Sequence, residues 1–262
     1  MTITTFDTDR YIFFLLVFTR VSGAVLFNPF FGRRSIPAIV KVGLSAAIAL
    51  YISPALWGDS GFAFSPSSFI VFGLIVIKEL FVGFFMGFIM QLIMSAALIA
   101  GEAADLQIGL GMGKIYDPQS NATMAITGTL YNLFFTLVFF LSNGHLTLIR
   151  MAADSFKLFP AGKGVINFGG AGYAAALFGD VLVIAVKLAL PVIAIMLLTE
   201  AGLGFMMRAV PHLNIFAVGL QIKLAVGLAV LIASLPAVSK LLDSTITFMF
   251  GQMAQGINRL IA

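Results

Sequence analysis

Seven charged side chains in this sequence lie within or beside long apolar runs, where a charge has to be partnered. Arg20 falls within residues 11–31, the adjacent Lys78 and Glu79 within 69–100, Asp180 and Lys187 within 174–198, and Lys223 within 213–238, with Glu200 just beyond the third run. A charge at the centre of a bilayer costs roughly 3 kcal/mol on insertion scales. Such a group needs an opposite charge, a wet cavity, or a position outside lipid. Two chemistries fit: a proton or ion relay, or ion pairs that specify how helices assemble. Relays concentrate acids, and these sites are mostly lysines, which weighs towards pairs. Asp180 and Lys187 are seven apart and share one helix face, whereas Lys78 and Glu79 point in different directions. Lys223 stands between Gly219 and Gly227 at helical spacing. Small residues there let another helix approach and bring a carboxylate to the ammonium.

A second constellation is the glycine-rich run Gly109-Leu110-Gly111-Met112-Gly113-Lys114. A phosphate-binding loop needs Ser or Thr after Gly-Lys and a leading Gly, but Ile115 and Ile108 occupy those places. The dinucleotide pattern fails because Lys114 stands where its third Gly belongs. The glycines instead permit tight, irregular backbone between two helices. Asp117-Pro118 then reads as a helix start, with Asp capping and Pro in the first turn. Irregular backbone at membrane depth is tolerated only where protein buries it or water lines it. The run, with the apolar tips Leu110, Met112, Ile115 and Tyr116, is either a pore constriction or an ordinary turn outside the membrane.

Composition sets the class. The chain has 262 residues, 60% hydrophobic and only 10% charged, with a mean hydropathy of +1.07. Globular proteins run near ~45–50% apolar and ~25% charged, so this is the composition of an integral membrane protein. There is no Cys, which removes disulfides, thiolate metal sites and Cys nucleophiles together. His145 and His212 are far apart and lack carboxylates at ligand spacing, so neither a metal nor another cofactor is expected. The net charge of +4 is scattered without a basic run, and nucleic-acid binding has no support. Residues 1–9 are acidic rather than basic, so the first helix is expected to be retained rather than cleaved.

Six main hydrophobic blocks follow: residues 10–27, 37–56, 69–100, 121–141, 172–208 and 213–238. The third would reach about 48 Å as a helix, against a hydrocarbon core of about 30 Å. It therefore bends near Gly83 and Gly87, tilts, or leaves the bilayer. The fifth poses the same problem, with Pro191 as its kink. Residues 143–170 form a longer connection with a short helix over 146–156. After Ser239, Leu242, Ile246, Met249, Met253, Ile257 and Leu260 recur every three or four residues. This amphipathic C-terminal helix lies on a membrane surface or packs on a partner. The fold class is all-α: a polytopic membrane-type protein with long, kinked helical hairpins.

Several segments resemble the FliR family of flagellar biosynthetic export-gate proteins, in order and at similar spacing over nearly the whole chain. They are Gly32-Arg33-Arg34-Ser35-Ile36-Pro37 with Lys41-Val42-Gly43-Leu44, Gly101-Glu102 with Gln107-Ile108-Gly109-Leu110 and Asp117-Pro118, Asn143-Gly144-His145-Leu146, and Pro211-His212-Leu213-Asn214-Ile215-Phe216 with Gly219. The resemblance implies a non-enzymatic pore subunit in the bacterial inner membrane, at the flagellar basal body. It implies FliP-like and FliQ-like neighbours, an FlhB-like subunit around the base, and unfolded flagellar proteins as cargo, alongside membrane lipid. Export would be driven by the proton gradient and by an ATPase carried by other proteins. By the same resemblance, Gly109, Leu110, Gly111, Met112, Gly113, Ile115, Tyr116, Asp117 and Pro118, in a loop near residues 106–120, form a plug that closes the channel. Residues 1–262 then make one export-gate domain, with the N-terminal helices and plug in 1–141 and the connecting segment and last helices in 142–262. The alternatives are the T component of a virulence type III secretion system, which shares the fold and differs in cargo, and a stand-alone ion-coupled secondary transporter. The latter would be expected to show an internal repeat.

Overall fold

Apolar runs without interior turn signals become helices, and the described residues contain no strand. The computed structural model describes residues 8–60, 69–111, 125–162, 170–209 and 215–261. Seven helices occupy them: α1 (Thr8–Leu26), α2 (Ala38–Ser60), α3 (Phe69–Ile108), α4 (Ile126–Leu141), α5 (Gly144–Leu158), α6 (Gly170–Ala209) and α7 (Ile215–Ile261). The all-α, membrane-type architecture is therefore established. Four helices, α2, α3, α6 and α7, are long and apolar enough to cross a membrane, and α4 with α5 would make a fifth as one broken span. The break falls at Asn143, whose φ of 56° is left-handed, a conformation Asn tolerates better than most residues.

The sixth hydrophobic block and the amphipathic stripe turn out to be one helix. α7 runs 47 residues with Pro236 inside it. The stripe does not face a membrane surface or a partner: Leu242, Ile246, Met249, Met253, Ile257 and Leu260 are all buried within the chain. Their period identified the buried face correctly but not what covers it. α3 and α6 each run 40 residues, about 60 Å at 1.5 Å per residue. That is about twice the hydrocarbon thickness.

The chain forms two compact units, residues 1–92, 143–176 and 247–262 in one and 93–142 with 177–246 in the other. α3, α6 and α7 each contribute to both.

In the first unit, Phe13, Leu16, Val17 and Val21 of α1 form a core with Ala49 of α2, Ile75 of α3 and Phe156 of α5. Glycine sets how closely α1 and α3 approach. A Cβ on Gly23 would sit 2.7 Å from the Leu80 carbonyl oxygen, and one on Gly87 would sit 2.8 Å from the Phe27 carbonyl carbon. A Cβ on Gly83 would overlap the Arg20 carbonyl. Gly83 and Gly87 are where another backbone lies against the helix. After α1 the chain turns sharply. The Asn28 Oδ1 accepts the N–H groups of Phe30 (2.7 Å) and Phe31 (3.2 Å), and the Lys41 ammonium donates to the Gly32 carbonyl at 2.9 Å. The same unit ties α6 to α7, where the Tyr173 hydroxyl lies 2.6 Å from the Gln252 carbonyl.

In the second unit, Gly101 of α3 and Gly128 of α4 meet backbone to backbone. α6 buries Leu177, Val181, Ala185, Leu188, Val192 and Met196, a stripe spaced by threes and fours. Gly227 of α7 accommodates the Ile108 side chain.

Gly83→Ala and Gly73→Ala are expected to have opposite effects. A Cβ at position 73 meets nothing within 4 Å, so helix propensity alone acts and favours Ala by about 0.5–1 kcal/mol. At position 83 overpacking costs about 1–3 kcal/mol or more. Thermal unfolding of the two variants in detergent checks the sign.

Candidate functional site

The polar groups of the first unit converge on one point. Arg20 is 1% exposed and Glu79 fully buried, so neither charge can rely on solvent. The Arg20 Nε and Nη2 lie 2.7 Å and 2.6 Å from the Glu79 Oε2. The other donors are used as well. Nη1 donates to the Ser155 hydroxyl at 3.2 Å and Nη2 to the Phe159 carbonyl at 2.8 Å. The second carboxylate oxygen, Oε1, accepts the Gly162 N–H at 2.9 Å. Gly162 has a φ of 77°, a conformation glycine adopts without steric cost. The guanidinium carbon stands 3.8 Å from the Phe156 ring centroid, within cation–π range. α1, α3, α5 and the segment after α5 thus share one buried node. Lys78, one residue from Glu79, lies on a different face with its ammonium 5.9 Å from the Phe159 ring.

A second ion pair lies in the other unit. The Lys223 ammonium of α7 pairs with the Glu200 carboxylate of α6, and the two side chains are 25% and 42% exposed. Lys223 thus meets a carboxylate within its own chain. Asp180 and Lys187 sit on the exposed side of α6, among Phe178, Val183, Val186 and Leu190. Of the seven charges read as buried, only Arg20 and Glu79 are buried within the chain. Asp180, Lys187 and Glu200 are exposed, because α6 turns only its aliphatic stripe inward.

Of the glycine-rich run, Gly109, Leu110 and Gly111 are described; Met112, Gly113, Ile115, Tyr116, Asp117 and Pro118 lie outside the described residues, as does His212. Gly109 ends α3 with a φ of 93°, a left-handed helix terminus of the kind glycine favours. Its N–H and that of Gly111 donate to the Asp105 carbonyl, at 3.0 Å and 3.4 Å. The irregular backbone expected of this run therefore begins at its first glycine. No group of His, Asp or Glu capable of holding a metal occurs among the described residues.

The family described as bacterial export proteins, family 1, matches residues 11–249. The chain is 30% identical to the flagellar biosynthetic protein FliR of Escherichia coli (strain K12) over 243 residues, 92% of this chain and 91% of that protein. It is 32% identical to FliR of Bacillus subtilis (strain 168) over 241 residues, 88% of each. FliR of Aquifex aeolicus (strain VF5) matches at 29% over 228 residues. The chain belongs to the FliR family. Membership gives the long apolar helices their setting, as a membrane-integral component of bacterial flagellar export.

Family motifs acquire local roles in this frame. The Gly32 segment is the tight turn after α1, where a Cβ would sit 2.5 Å from the Asn28 carbonyl oxygen. Asn143-Gly144 is the break between α4 and α5. In the sequence Asn28 is legible only as a helix stop with Pro29, and Asp105, Ser155 and Gly162 are not singled out. Asp105 is an acid at an apolar helix end, one turn after Gly101 and one before Gly109.

Removing one member of the buried pair strands the other, which costs about 3–5 kcal/mol, whereas replacing both with apolar residues is often neutral. Arg20→Ala and Glu79→Ala should each lower unfolding stability by that amount. The double variant Arg20→Met/Glu79→Leu should be markedly more stable than either. Unfolding in detergent decides, and a double variant as unstable as the singles would sink this account of the node.

Proposed function

We propose that this chain is a non-enzymatic structural subunit of the flagellar type III export gate in the bacterial inner membrane. The observation that carries the reading is the match to flagellar biosynthetic proteins along about nine-tenths of each chain. On this reading residues 1–262 act as one export-gate domain. It assembles with FliP-like and FliQ-like subunits and an FlhB-like subunit to form the channel for unfolded flagellar proteins. The run from Gly109 to Pro118 is the plug. The left-handed turn at Gly109 supports it, since it takes the chain out of the α3 helix where the apolar tips begin. The charges divide by role. Arg20 and Glu79 hold the chain itself together, with Lys78 beside them, and Glu200 and Lys223 join α6 to α7. Asp180 and Lys187 are left to meet polar groups of other subunits, because lipid alone would leave them uncompensated. A virulence-type secretion subunit would share these features and differ in cargo. The flagellar reading is preferred because the similar proteins above carry flagellar names.

Deleting residues 109–113 should make the assembled complex leak ions, read as passive conductance of vesicles containing it. A deletion complex that stays sealed removes the plug assignment. Lys223→Ala should lower the yield of intact complex on size-exclusion chromatography. A variant that assembles fully yet exports nothing would assign Lys223 to transport instead.

A further inference from the structure

α4 begins without a cap of its own. Its N-cap position is Ala125, in extended conformation, with no side-chain hydrogen bond to the first turn. The acceptor comes from α3, whose Asp105 carboxylate is only 3% exposed and receives the Thr127 N–H, with Oδ1 at 3.2 Å and Oδ2 at 3.3 Å. A carboxylate offers about four acceptor sites, and among the described residues that N–H is the one donor its side chain meets. Two buried hydroxyls stand one turn apart on the same side of α4, those of Thr127 and Tyr131, at 1% and 0% exposed. Neither has a hydrogen-bond partner among the described residues. The polar neighbours of the Tyr131 hydroxyl are the Ser234 side chain of α7 and the Asp105 carboxylate, but no hydrogen bond of sound geometry reaches either. Ser234 donates its own proton to the Leu231 carbonyl at 3.0 Å. All four residues belong to the second unit.

Buried hydroxyls nearly always find a partner, in protein or in ordered water. The unused bonding capacity here is complementary. Thr127 and Tyr131 each hold a free O–H donor, and Asp105 and Ser234 hold free lone pairs, yet no donor closes directly on an acceptor. We infer that Asp105, Thr127, Tyr131 and Ser234 form an internal water site that ties α3, α4 and α7 together within the second unit. The water accepts the Thr127 and Tyr131 protons and donates to the Asp105 carboxylate and the Ser234 oxygen. That is a full set, since internal waters make about two to four hydrogen bonds. A small cation would meet the same oxygens but leave both hydroxyl protons without acceptors.

A double-mutant cycle on the full chain in detergent tests the site. Thr127→Val and Tyr131→Phe remove the two hydroxyls with little change of shape. The hydroxyls make no bond to each other, so energetic coupling between them reports the water they share. Each single variant should lower the folding equilibrium constant about five- to ten-fold, the scale of one net hydrogen bond. The double variant should fall no further than the less stable single one. Thr127→Ser keeps the hydroxyl and should stay close to wild type. Exchanging sodium for choline at constant ionic strength should leave unfolding of the wild type unchanged. Additive losses, or coupling of Tyr131→Phe to Ser234→Ala but not to Thr127→Val, would overturn the site in favour of direct side-chain contacts. A Tyr131→Phe variant more stable than wild type would overturn it too, by showing a hydroxyl left unpaired in a dry core. Selective stabilisation by sodium would replace the water with a cation.

Discussion

A buried arginine dictates the arrangement of the first unit. Arg20 cannot be left unsatisfied in an apolar interior, and no single neighbour can satisfy all its donors. Its environment is therefore collective: a carboxylate from α3, a hydroxyl from α5, a carbonyl just beyond α5 and an aromatic face. The apolar contacts of this unit tolerate small slips, but the node does not, because its hydrogen bonds fail within fractions of an ångström. Hydrophobic burial supplies the bulk of the driving force, and the node selects one packing from the many that burial would accept.

α3 uses one device twice. Glu79 and Gly83 are four apart, as are Gly101 and Asp105, so each carboxylate lies one helical turn from a glycine on the same face. At each place the glycine admits a neighbouring backbone, that of α1 or of α4. The carboxylate then binds a group on that same neighbour, the Arg20 guanidinium or the Thr127 N–H. Close approach and polar satisfaction are coupled, since a short acidic side chain reaches across only when the helices nearly touch. In an apolar medium, where hydrophobicity does not drive helices together, such contacts carry much of the specificity.

Much of this was legible in the residues. The long blocks, the short helix within 143–170 and the apolar stripe of the last helix follow from periodicity and breakers. Periodicity says that a face is buried, not by what, so it leaves the stripe of α7 to a membrane surface or a partner, whereas the stripe packs inside the chain. Pairing was illegible for a related reason. Arg20 and Glu79 are 59 residues apart, and nothing local marks Glu79 rather than another acid as the partner. Gly83 and Gly87 were indistinct among 26 glycines, because a close approach is a property of two helices and only one is visible in a motif. Asp105 looked like any helix-end acid; its use depends on Ala125, an ordinary residue that cannot cap.

The composition of the node also bears on the order of events during synthesis. Arg20 leaves the ribosome 59 residues before Glu79 and 139 before Phe159. At translation rates of roughly 5–20 residues per second, α1 waits several seconds for its carboxylate and longer for its carbonyl. Throughout that interval it carries an unmatched cation in a helix too apolar to remain comfortably in water. Completion of α5, far along the chain, is therefore the step at which the first helix can settle. A nascent chain that stops before that step keeps part of the Arg20 guanidinium unsatisfied, at a cost on the order of a few kcal/mol in an apolar setting.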